Sequence, residues 1–564
     1  MATIITKKKK GRVYYYAVQS GRVNGKPRIV WQKYLGTVDA IIQRADEAKP
    51  PKPKETVIFQ AGGIAALLGI AHRLRFLEIV NDVVPKREQG ASVGHYMLLA
   101  ALNRALAPCS KVTIGDWYEE TVLRRLWRFP KTAFSSQRFW DHMDMISQEA
   151  IDTIQQRIAP QIHREFGLDP RVLLYDTTNF FTFLATSNDR CTIGQRGNSK
   201  AKRHDLRQIG LALLVARPFQ IPLFHRVYPG NVPDVSLFPG LSQDLLKRYK
   251  QAFGPAEQAC LVFDKGNISD DAMDQLVVSN SHFVAALPMN QDEHNLLRRP
   301  LDEFEDLPAL PGTRAFTTEV DMWGKRLRAV VAYTESFFTQ QLAGVTHNLV
   351  KCQKKLLDLE KSLRKWHQGK ARGKKPTVRG VQQSVKRILS AQFMKQLFRI
   401  SVEHERSLPR LIYSVDHGAL EKLTNERLGR TLLVTDHREW SALETIEAYR
   451  SLTEIEDVFR DMKNVDFLRW QPAHHWTDQK LRVHAFYCVQ GLLLASLARK
   501  ESVRKGIELP LLAMLAELSK IREVAVIYPK GSLAHRKDHI TLSRMSPRQR
   551  KLAEGLGIAE VLDG

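Results

Sequence analysis

Two short apolar segments of this chain end in an aspartate that a small or polar residue follows. They are "LLYDTTN", which contains Asp176, and "LVFDKGN", which contains Asp264. Each apolar run has the length and composition of a buried β-strand. An aspartate at a strand end lies on the rim of a sheet, where open α/β folds bind their ligands. The sequence therefore predicts an α/β sheet with two carboxylates on one rim.

Two carboxylates on neighbouring strands would repel each other. At about 4 Å and an effective dielectric constant of about 20, the repulsion is roughly 4 kcal/mol. A divalent cation relieves it, and Mg²⁺ is commonly held by one or two carboxylates together with phosphate oxygens. The alternative for each aspartate is an ordinary turn or cap residue.

A third carboxylate, Glu456, lies in "YRSLTEIEDVFRDMK", residues 449 to 463, which the spacing predicts to be one amphipathic helix. Glu456 would lie at the edge of the apolar stripe formed by Tyr449, Leu452, Ile455, Phe459 and Met462. A carboxylate beside a buried seam is costly unless a positive group meets it. That group is either a metal ion shared with Asp176 and Asp264 or the guanidinium of Arg460, one turn further on.

The remaining pattern divides the chain into regions. Residues 11 to 36 predict a β-hairpin that turns at Asn24-Gly25, and "AKPPKPKE" predicts an extended linker. The apolar residues between positions 62 and 166 recur with a helical period, which predicts a helical region. "QIGLALLVA" and "IPLFHRVYPG" predict an antiparallel strand pair, and "HFVAALP" a further strand. Next, the sequence predicts a strand pair around residues 316 to 334 and a basic helical stretch over 339 to 396. The strand "RTLLVTD" and then a helix that opens with a capping box at Ser441 are predicted after it.

The charge of the chain indicates its partner. Lys and Arg number 85 against 60 Asp and Glu, which gives a net charge of +25 and a pI near 9.8. A polyanion, above all nucleic acid, is the natural partner, although a basic protein without one has the same composition.

The longest apolar runs are too short to span a bilayer. Five scattered cysteines without a CxxC pair favour reduced thiols, an intracellular setting and no structural zinc site.

Taken together, these motifs resemble bacterial insertion-sequence transposases of the DDE, RNase H-like superfamily. The resemblance is strongest to the group with the signature Tyr-x2-Arg-x3-Glu-x6-Lys, which Tyr449, Glu456 and Lys463 match; Leu452 stands at the Arg position. "LLYDTTNFF", "RGNSKAKRHDLRQIGLALLV", "QIPLFHRVYPGNVPD" and "QPAHHWTDQKLRVHAF" extend the likeness over most of residues 170 to 500.

The resemblance implies an α/β RNase H-like catalytic core over residues 166–287 and 429–500. A mixed β/helical insertion over 288–428 would precede the helix that bears the glutamate. A β-hairpin module with its linker (1–56) and a helical DNA-binding and dimerisation domain (57–165) would come first, and a C-terminal helical region (501–564) last. Asp176, Asp264 and Glu456 would be the catalytic triad, holding two Mg²⁺ ions for which Mn²⁺ can substitute.

The resemblance and the basic segments also indicate DNA contacts. Lys463, Tyr449 and Arg460 would line the groove beside the triad, and the loop with Lys200, Lys202, Arg203 and Arg207 would lie next to it. Trp323 would stack on a flipped base of a DNA hairpin. In "WYEETVLRRLWRFPKTAFSSQRFW", Arg124 and Arg128 are candidates for phosphate contact. The alternative for the groove residues is an ordinary core or helix-end position, and for the basic loop it is an exposed linker. The alternative for Trp323 is a core position, and for the N-terminal segment it is a helical core with a solvated basic face.

We therefore expect a cut-and-paste transposase, cytoplasmic and associated with the bacterial nucleoid. It would bind its own terminal inverted repeats as a dimer, cleave the ends and join each 3′-hydroxyl to target DNA. Two alternatives stay open. A catalytically inactive DNA-binding relic would bind without cutting, and a Mg²⁺-dependent nuclease directed by DNA structure would cut without end-specific recognition.

Overall fold

The computed structural model describes residues 2–23, 25–47, 52–168, 171–185, 187–197, 203–254, 259–278, 281–287, 294–405, 408–471, 473–529 and 538–563. It is a mixed α/β fold built around one large sheet.

The chain opens with a small antiparallel sheet in the order β1-β2-β3. Its elements are β1 (Ala2–Lys9), β2 (Arg12–Val23) and β3 (Lys26–Gly36), followed by α1 (Val38–Glu47). The predicted hairpin is confirmed, since Val23 pairs with Lys26 across the turn; Asn24 lies outside the described residues, as do residues 48–51 of the predicted linker. Strand β1 and helix α1 were not predicted.

The predicted helical region is confirmed, with one strand before it. Its elements are β4 (Glu55–Gln60), α2 (Gly62–Arg73), α3 (Phe76–Val83), α4 (Val93–Leu106), α5 (Ile114–Glu119), α6 (Leu123–Trp127), α7 (Ser136–Asp144) and α8 (Gln148–Phe166). Ser92, Ser135 and Ser147 cap α4, α7 and α8 by accepting a backbone N–H of the first turn.

The middle of the chain supplies most strands of the large sheet. In order, the elements are β5 (Val172–Thr182), β6 (Arg207–Ala216), β7 (Ile221–Pro229), α9 (Asp234–Phe253), β8 (Cys260–Phe263), α10 (Asp270–Val278), β9 (His282–Ala286), α11 (His294–Leu297), β10 (Glu305–Asp306), β11 (Thr313–Met322) and β12 (Lys325–Thr334). The predicted antiparallel pairing of β6 and β7 is confirmed.

A second unit with its own hydrophobic core follows. It consists of α12 (Glu335–His367), α13 (Val378–Ile388), β13 (Phe398–Glu405), β14 (Leu408–Val415) and α14 (His417–Glu426). The core runs from Val345 to Leu428 and is separate from the main one. We call residues 335–428 the helical insertion.

The chain then returns to the large sheet and closes against the N-terminal helices. The elements are β15 (Arg430–Thr435), α15 (Ala442–Arg450), α16 (Leu452–Lys463), α17 (Asp478–Arg504), α18 (Leu511–Ser519), β16 (Arg522–Ile527), β17 (His539–Leu542), α19 (Pro547–Gly555) and α20 (Ile558–Asp563). Helix α17 is long and apolar enough to cross a membrane, but 94% of its most apolar window is buried in the protein. It is the central core helix.

The large sheet has nine strands in the order β10-β11-β12-β15-β9-β8-β5-β6-β7. Strands β7, β6 and β5 are antiparallel, β5, β8 and β9 are parallel, and β9, β15, β12, β11 and β10 are antiparallel again. Strands β11 and β12, which the sequence assigned to the insertion, therefore extend the main sheet. The glutamate helix α16 packs on β5, near the middle of the sheet.

A strand from the N-terminal part of the chain pairs with a strand from its C-terminal part. Strand β4 pairs with β16 along its whole length, from Glu55 opposite Ile527 to Gln60 opposite Arg522. Nearby, Arg125 forms a 2.6 Å ion pair with the buried carboxylate of Glu523. One hydrophobic cluster extends from Ala61 to Leu562. The expected boundaries near residues 165 and 500 thus lie inside a continuous core.

Candidate active site

Asp176 and Asp264 lie at matching positions on neighbouring parallel strands. In the ladder between β5 and β8, Leu174 pairs with Val262, and the same offset two residues further on brings Asp176 level with Asp264. The backbone of Asp264 is still extended, with φ −81° and ψ 158°. Because alternate residues of a strand face the same side, both carboxylates leave the same face of the sheet, on strands about 4.8 Å apart.

One part of the prediction for Asp176 is wrong. Strand β5 does not end there but continues to Thr182, and Asp176 pairs with Leu213 of β6. The polar residues after Asp176 suggested a turn, yet β6 runs beside them and supplies the strand hydrogen bonds. Asp264, in contrast, directly follows β8, as predicted. Asp176 is half-buried and Asp264 is exposed.

The helix predicted over residues 449 to 463 is two helices. Helix α15 ends at Arg450 and α16 begins at Leu452. Between them, the Ser451 hydroxyl donates a 2.6 Å hydrogen bond to the carbonyl of Ala448. Serine competes for backbone partners in this way and so favours helix ends over interiors. Tyr449 therefore belongs to the last turn of α15 and Glu456 to α16.

Tyr449 connects the two helices to the sheet rim. Its hydroxyl donates a 2.9 Å hydrogen bond to Oδ1 of Asp264. Burial raises the pKa of Tyr449, and the negative charges of Asp264 and Glu456 raise it further. The phenol is consequently a neutral donor, and both carboxylates lie near it.

The carboxylate of Glu456 is exposed. Arg460, which the sequence offered as its partner, instead forms a 2.6 Å ion pair with Asp457. Within the described residues, Glu456 forms no ion pair. Its position on α16 is fixed from below by the buried side chains of Ile455, Val458 and Phe459. The salt-bridge alternative is therefore not the arrangement that forms.

Lys463 anchors the other end of α16 on the same strand. Its Nζ donates a 2.7 Å hydrogen bond to the hydroxyl of Thr178 and lies 5.3 Å from the centre of the Phe180 ring. Thr178 is two residues beyond Asp176 and faces the same side. Glu456 lies two helical turns before Lys463, between this contact and the one made by Tyr449 to Asp264. The helix therefore carries Glu456 on the side of the sheet that Asp176 faces.

The donor chemistry of these three carboxylates fits Mg²⁺, which prefers oxygen ligands. As the side chains stand, no group of three or more His, Cys, Asp and Glu residues in the described part of the chain could hold a metal ion. Mg²⁺ in phosphoryl-transfer sites is typically bound by one or two carboxylates together with substrate phosphates and water. Asp176 and Asp264 would supply the protein's share of such a site.

Arg450 is a site residue that the sequence did not identify. Its Nη2 donates hydrogen bonds of 2.8 Å and 2.9 Å to the hydroxyls of Thr313 and Thr334, which pair across β11 and β12. It thereby ties the end of α15, and with it Tyr449, to the edge of the large sheet. No local sequence signal reports this contact, because its partners lie more than 100 residues away.

We expect Arg450→Met to lower the stability of the protein by about 1–3 kcal/mol, since hydrogen bonds from a charged donor to two hydroxyls are lost. Thermal unfolding of the full chain measures this. The exposed Arg28→Met variant is the matched control and should leave the melting temperature unchanged. Equal melting temperatures for the two variants would contradict a positioning role for Arg450.

The predicted DNA-binding loop is described in part. Lys200 and Lys202 lie outside the described residues. Arg203 forms a 2.8 Å ion pair with Asp205, and Arg207 at the start of β6 donates a 3.0 Å hydrogen bond to the carbonyl of Asn188. Arg207 pairs with Thr182 of β5, six residues beyond Asp176, so it lies about 20 Å along the strand from that aspartate.

Trp323 occupies the turn between β11 and β12 with a left-handed backbone, φ +48°. It is half-buried against the edge of the main core, and its Nε1 donates a 3.2 Å hydrogen bond to Asp270. Stacking on a DNA base stays a prediction for this residue.

The aromatic side chains of the N-terminal basic segment mostly pack inward. Trp117 is buried, and Trp127 and Phe129 lie against the main core. Arg124 pairs with Glu119 at 2.9 Å, whereas Arg128 is exposed at the end of α6. Stacking of bases on these aromatic residues is not favoured by this packing, and phosphate contact by Arg128 stays a prediction.

A cavity of about 780 Å³ adjoins the rim. It lies between the large sheet and the start of the helical insertion. Its lining includes Lys265, Tyr449 and Arg450 on one side and Ser336, Phe337 and Gln341 of α12 on the other. The first turns of α12 are therefore next to the candidate active site.

Comparisons with known proteins add little to this geometry. No protein-family model matches the sequence, and no curated protein matches it. Among solved structures, the chain is similar to a piggyBac transposase in a synaptic complex with hairpin DNA. The sequences are 9% identical, the match covers 80% of this chain and 79% of the other, and the TM-score is 0.37. A TM-score this low carries no functional conclusion.

Proposed function

We propose that the protein is a DNA transposase of the DDE type, with an RNase H-like core, that cleaves the ends of its own element and joins them to target DNA. The observation that supports this most is the parallel register of β5 and β8, in which Leu174 pairs with Val262 and Asp176 and Asp264 each lie two residues further on. The helix bearing Glu456 packs on β5, the strand of Asp176. In this proposal the three carboxylates converge on one phosphodiester when metal ions and DNA are bound.

In this proposal Asp176, Asp264 and Glu456 hold two Mg²⁺ ions, for which Mn²⁺ can substitute. Such ions, when bound, supply activation of the attacking oxygen and stabilisation of the leaving oxygen. Tyr449 holds the carboxylate of Asp264 in place through its hydroxyl. Lys463 supplies a positive charge beside Thr178, where a phosphate next to the scissile bond would lie.

The DNA partner is supported by the net charge of +25 and by the exposed basic side chains around the site. The substrates would be the terminal inverted repeats of the element and a target duplex, with two copies of the chain pairing the ends. The signature position of Leu452 lacks the arginine of the related group, so a hairpin intermediate is not part of this proposal.

Incubation of the full-length protein with a labelled duplex taken from the DNA that flanks its gene tests the function. With Mg²⁺, we expect nicks at one position that leave a 3′-hydroxyl, followed by products joined to a second duplex. A scrambled duplex of equal length and a reaction in EDTA are the controls. Binding without cleavage in Mg²⁺ or Mn²⁺ would instead identify a catalytically inactive relic, and equal cutting of both duplexes a general nuclease.

A further inference from the structure

Nearly half of the net charge of the chain is concentrated in 45 residues of the helical insertion. Residues 351 to 395 contain fourteen Lys and Arg against two acidic residues, Asp358 and Glu360, a net charge of +12 out of +25. All fourteen basic side chains are exposed. In the described part of the chain, only Arg364 among them forms an ion pair, with Glu360 at 2.6 Å. The charge is therefore largely uncompensated by the protein itself.

Helix α12 arranges part of this charge in a row. The side chains that it buries in the core of the insertion are Val345, Cys352, Leu356 and Leu363, which recur at intervals of seven and four residues and so share one face. Four exposed lysines lie on the opposite face: Lys351, Lys354, Lys361 and Lys365. We call these four the lysine row. At 1.5 Å per residue it is about 21 Å long.

The position of the row relative to the active site follows from the start of the helix. Ser336 and Phe337, in the first turn of α12, line the cavity that Lys265 and Tyr449 also line. From the first residue, Glu335, the row begins about 24 Å along the helix and ends about 45 Å along it. A duplex bound at the rim and lying beside α12 would meet the row about 7 to 13 base pairs from the scissile phosphate, at 3.4 Å per base pair.

We propose that the lysine row binds the phosphate backbone of duplex DNA that flanks the cleavage site. This inference rests on the proposed function for the identity of the partner, and it adds a second contact surface outside the active site. Lysine ammonium groups act as point charges and read no base sequence. The row thus holds flanking DNA in position irrespective of its sequence, and end recognition is left to other parts of the chain.

The salt dependence of DNA binding tests the proposal without requiring catalysis. Full-length wild type is compared, in EDTA, with a variant in which the four lysines of the row become glutamine. If all four contact phosphates, the slope of log K against log [salt] falls by about 3 to 4, and affinity at 0.1 M salt falls at least about tenfold. Replacement of the same four residues by arginine should restore both. Because the side chains are exposed, the melting temperature should not change.

A matched control removes four exposed positive charges elsewhere, Lys8, Lys9, Lys10 and Lys26, by the same change to glutamine. The proposal is overturned if the row variant keeps the wild-type slope, or if the control variant loses as much affinity as the row variant. Footprinting of the wild-type complex should in addition show protection at about 7 to 13 base pairs from the cleavage position that the row variant lacks. A protein that never cleaves but shows the slope change would keep this inference and lose the proposed function.

Discussion

Replacing Asp264 by asparagine is expected to reduce DNA-end cleavage by at least about a thousandfold while leaving DNA binding intact. The change removes one of two carboxylates that face the same side of adjacent strands, and Lewis-acid chemistry at such a site is worth several kcal/mol. The shape of the side chain is kept, and its amide oxygen can still accept the hydrogen bond from Tyr449. Folding should therefore be preserved.

Single-turnover cleavage of the element end, with Mg²⁺ in excess, measures the effect. Asp302→Asn, the same change at an exposed position outside the site, is the matched control and should cleave at the wild-type rate. An Asp264→Asn protein that retains more than about a tenth of the wild-type rate would remove Asp264 from the chemistry, and the aspartate would then be an ordinary cap of the short turn that follows β8.

Acidification from pH 7 to pH 5 is expected to destabilise the protein strongly. His225, His475 and His484 are 2%, 6% and 3% exposed. Burial lowers the pKa of His225 to about 3 and holds the pKa values of His475 and His484 well below the ordinary value. The carboxylate of Asp152 raises the pKa of His225, whereas Arg226 and Arg248 lower it. The positive charges of Arg104 and Lys111 lower the pKa values of His475 and His484 further.

The direction of this change in stability follows from proton binding. Below pH 6.5 the unfolded chain protonates these histidines and the folded chain does not, so stability falls as pH falls through the window between the unfolded and folded pKa values. For His225, whose pKa in the folded protein is about 3, the loss of stability at pH 5 is about 2 kcal/mol. His475 and His484 add to this loss in the same direction.

Proton uptake on unfolding, measured by calorimetry in buffers of different ionisation enthalpy, checks this result. We expect more protons to be taken up at pH 5 than at pH 7.5, because the unfolded chain protonates histidines that the folded chain keeps neutral. The His225→Gln variant should take up about one fewer. Proton uptake that does not change between the two pH values would contradict the burial of these histidines in neutral form.

Several elements around the candidate site were predicted correctly because their sequence signals are local. The apolar run before Asp264, the alternation in β6 and β7 and the capping box at Ser441 depend on neighbouring residues only, and the structure contains each of them. The common offset that brings Asp176 level with Asp264 depends on strand pairing and could not be read from the sequence.

Where the predictions failed, partners distant in the chain decided the structure. Strand β5 passes Asp176 because β6 pairs with its polar half, and β4 forms because β16, more than 400 residues later, completes it. No glycine or proline marks the break between α15 and α16 at Ser451. The break is recognised only in the structure, where the Ser451 hydroxyl donates a hydrogen bond to the carbonyl of Ala448.

Mn²⁺ binding tests the proposal that Asp176, Asp264 and Glu456 form one metal site. Electron paramagnetic resonance counts the Mn²⁺ ions bound by the full-length protein in complex with its end DNA, for the wild type, Asp264→Asn and Glu456→Gln. We expect tight binding by the wild type, weaker binding by both variants and unchanged binding by Asp302→Asn. Equal Mn²⁺ binding by all four proteins would contradict it.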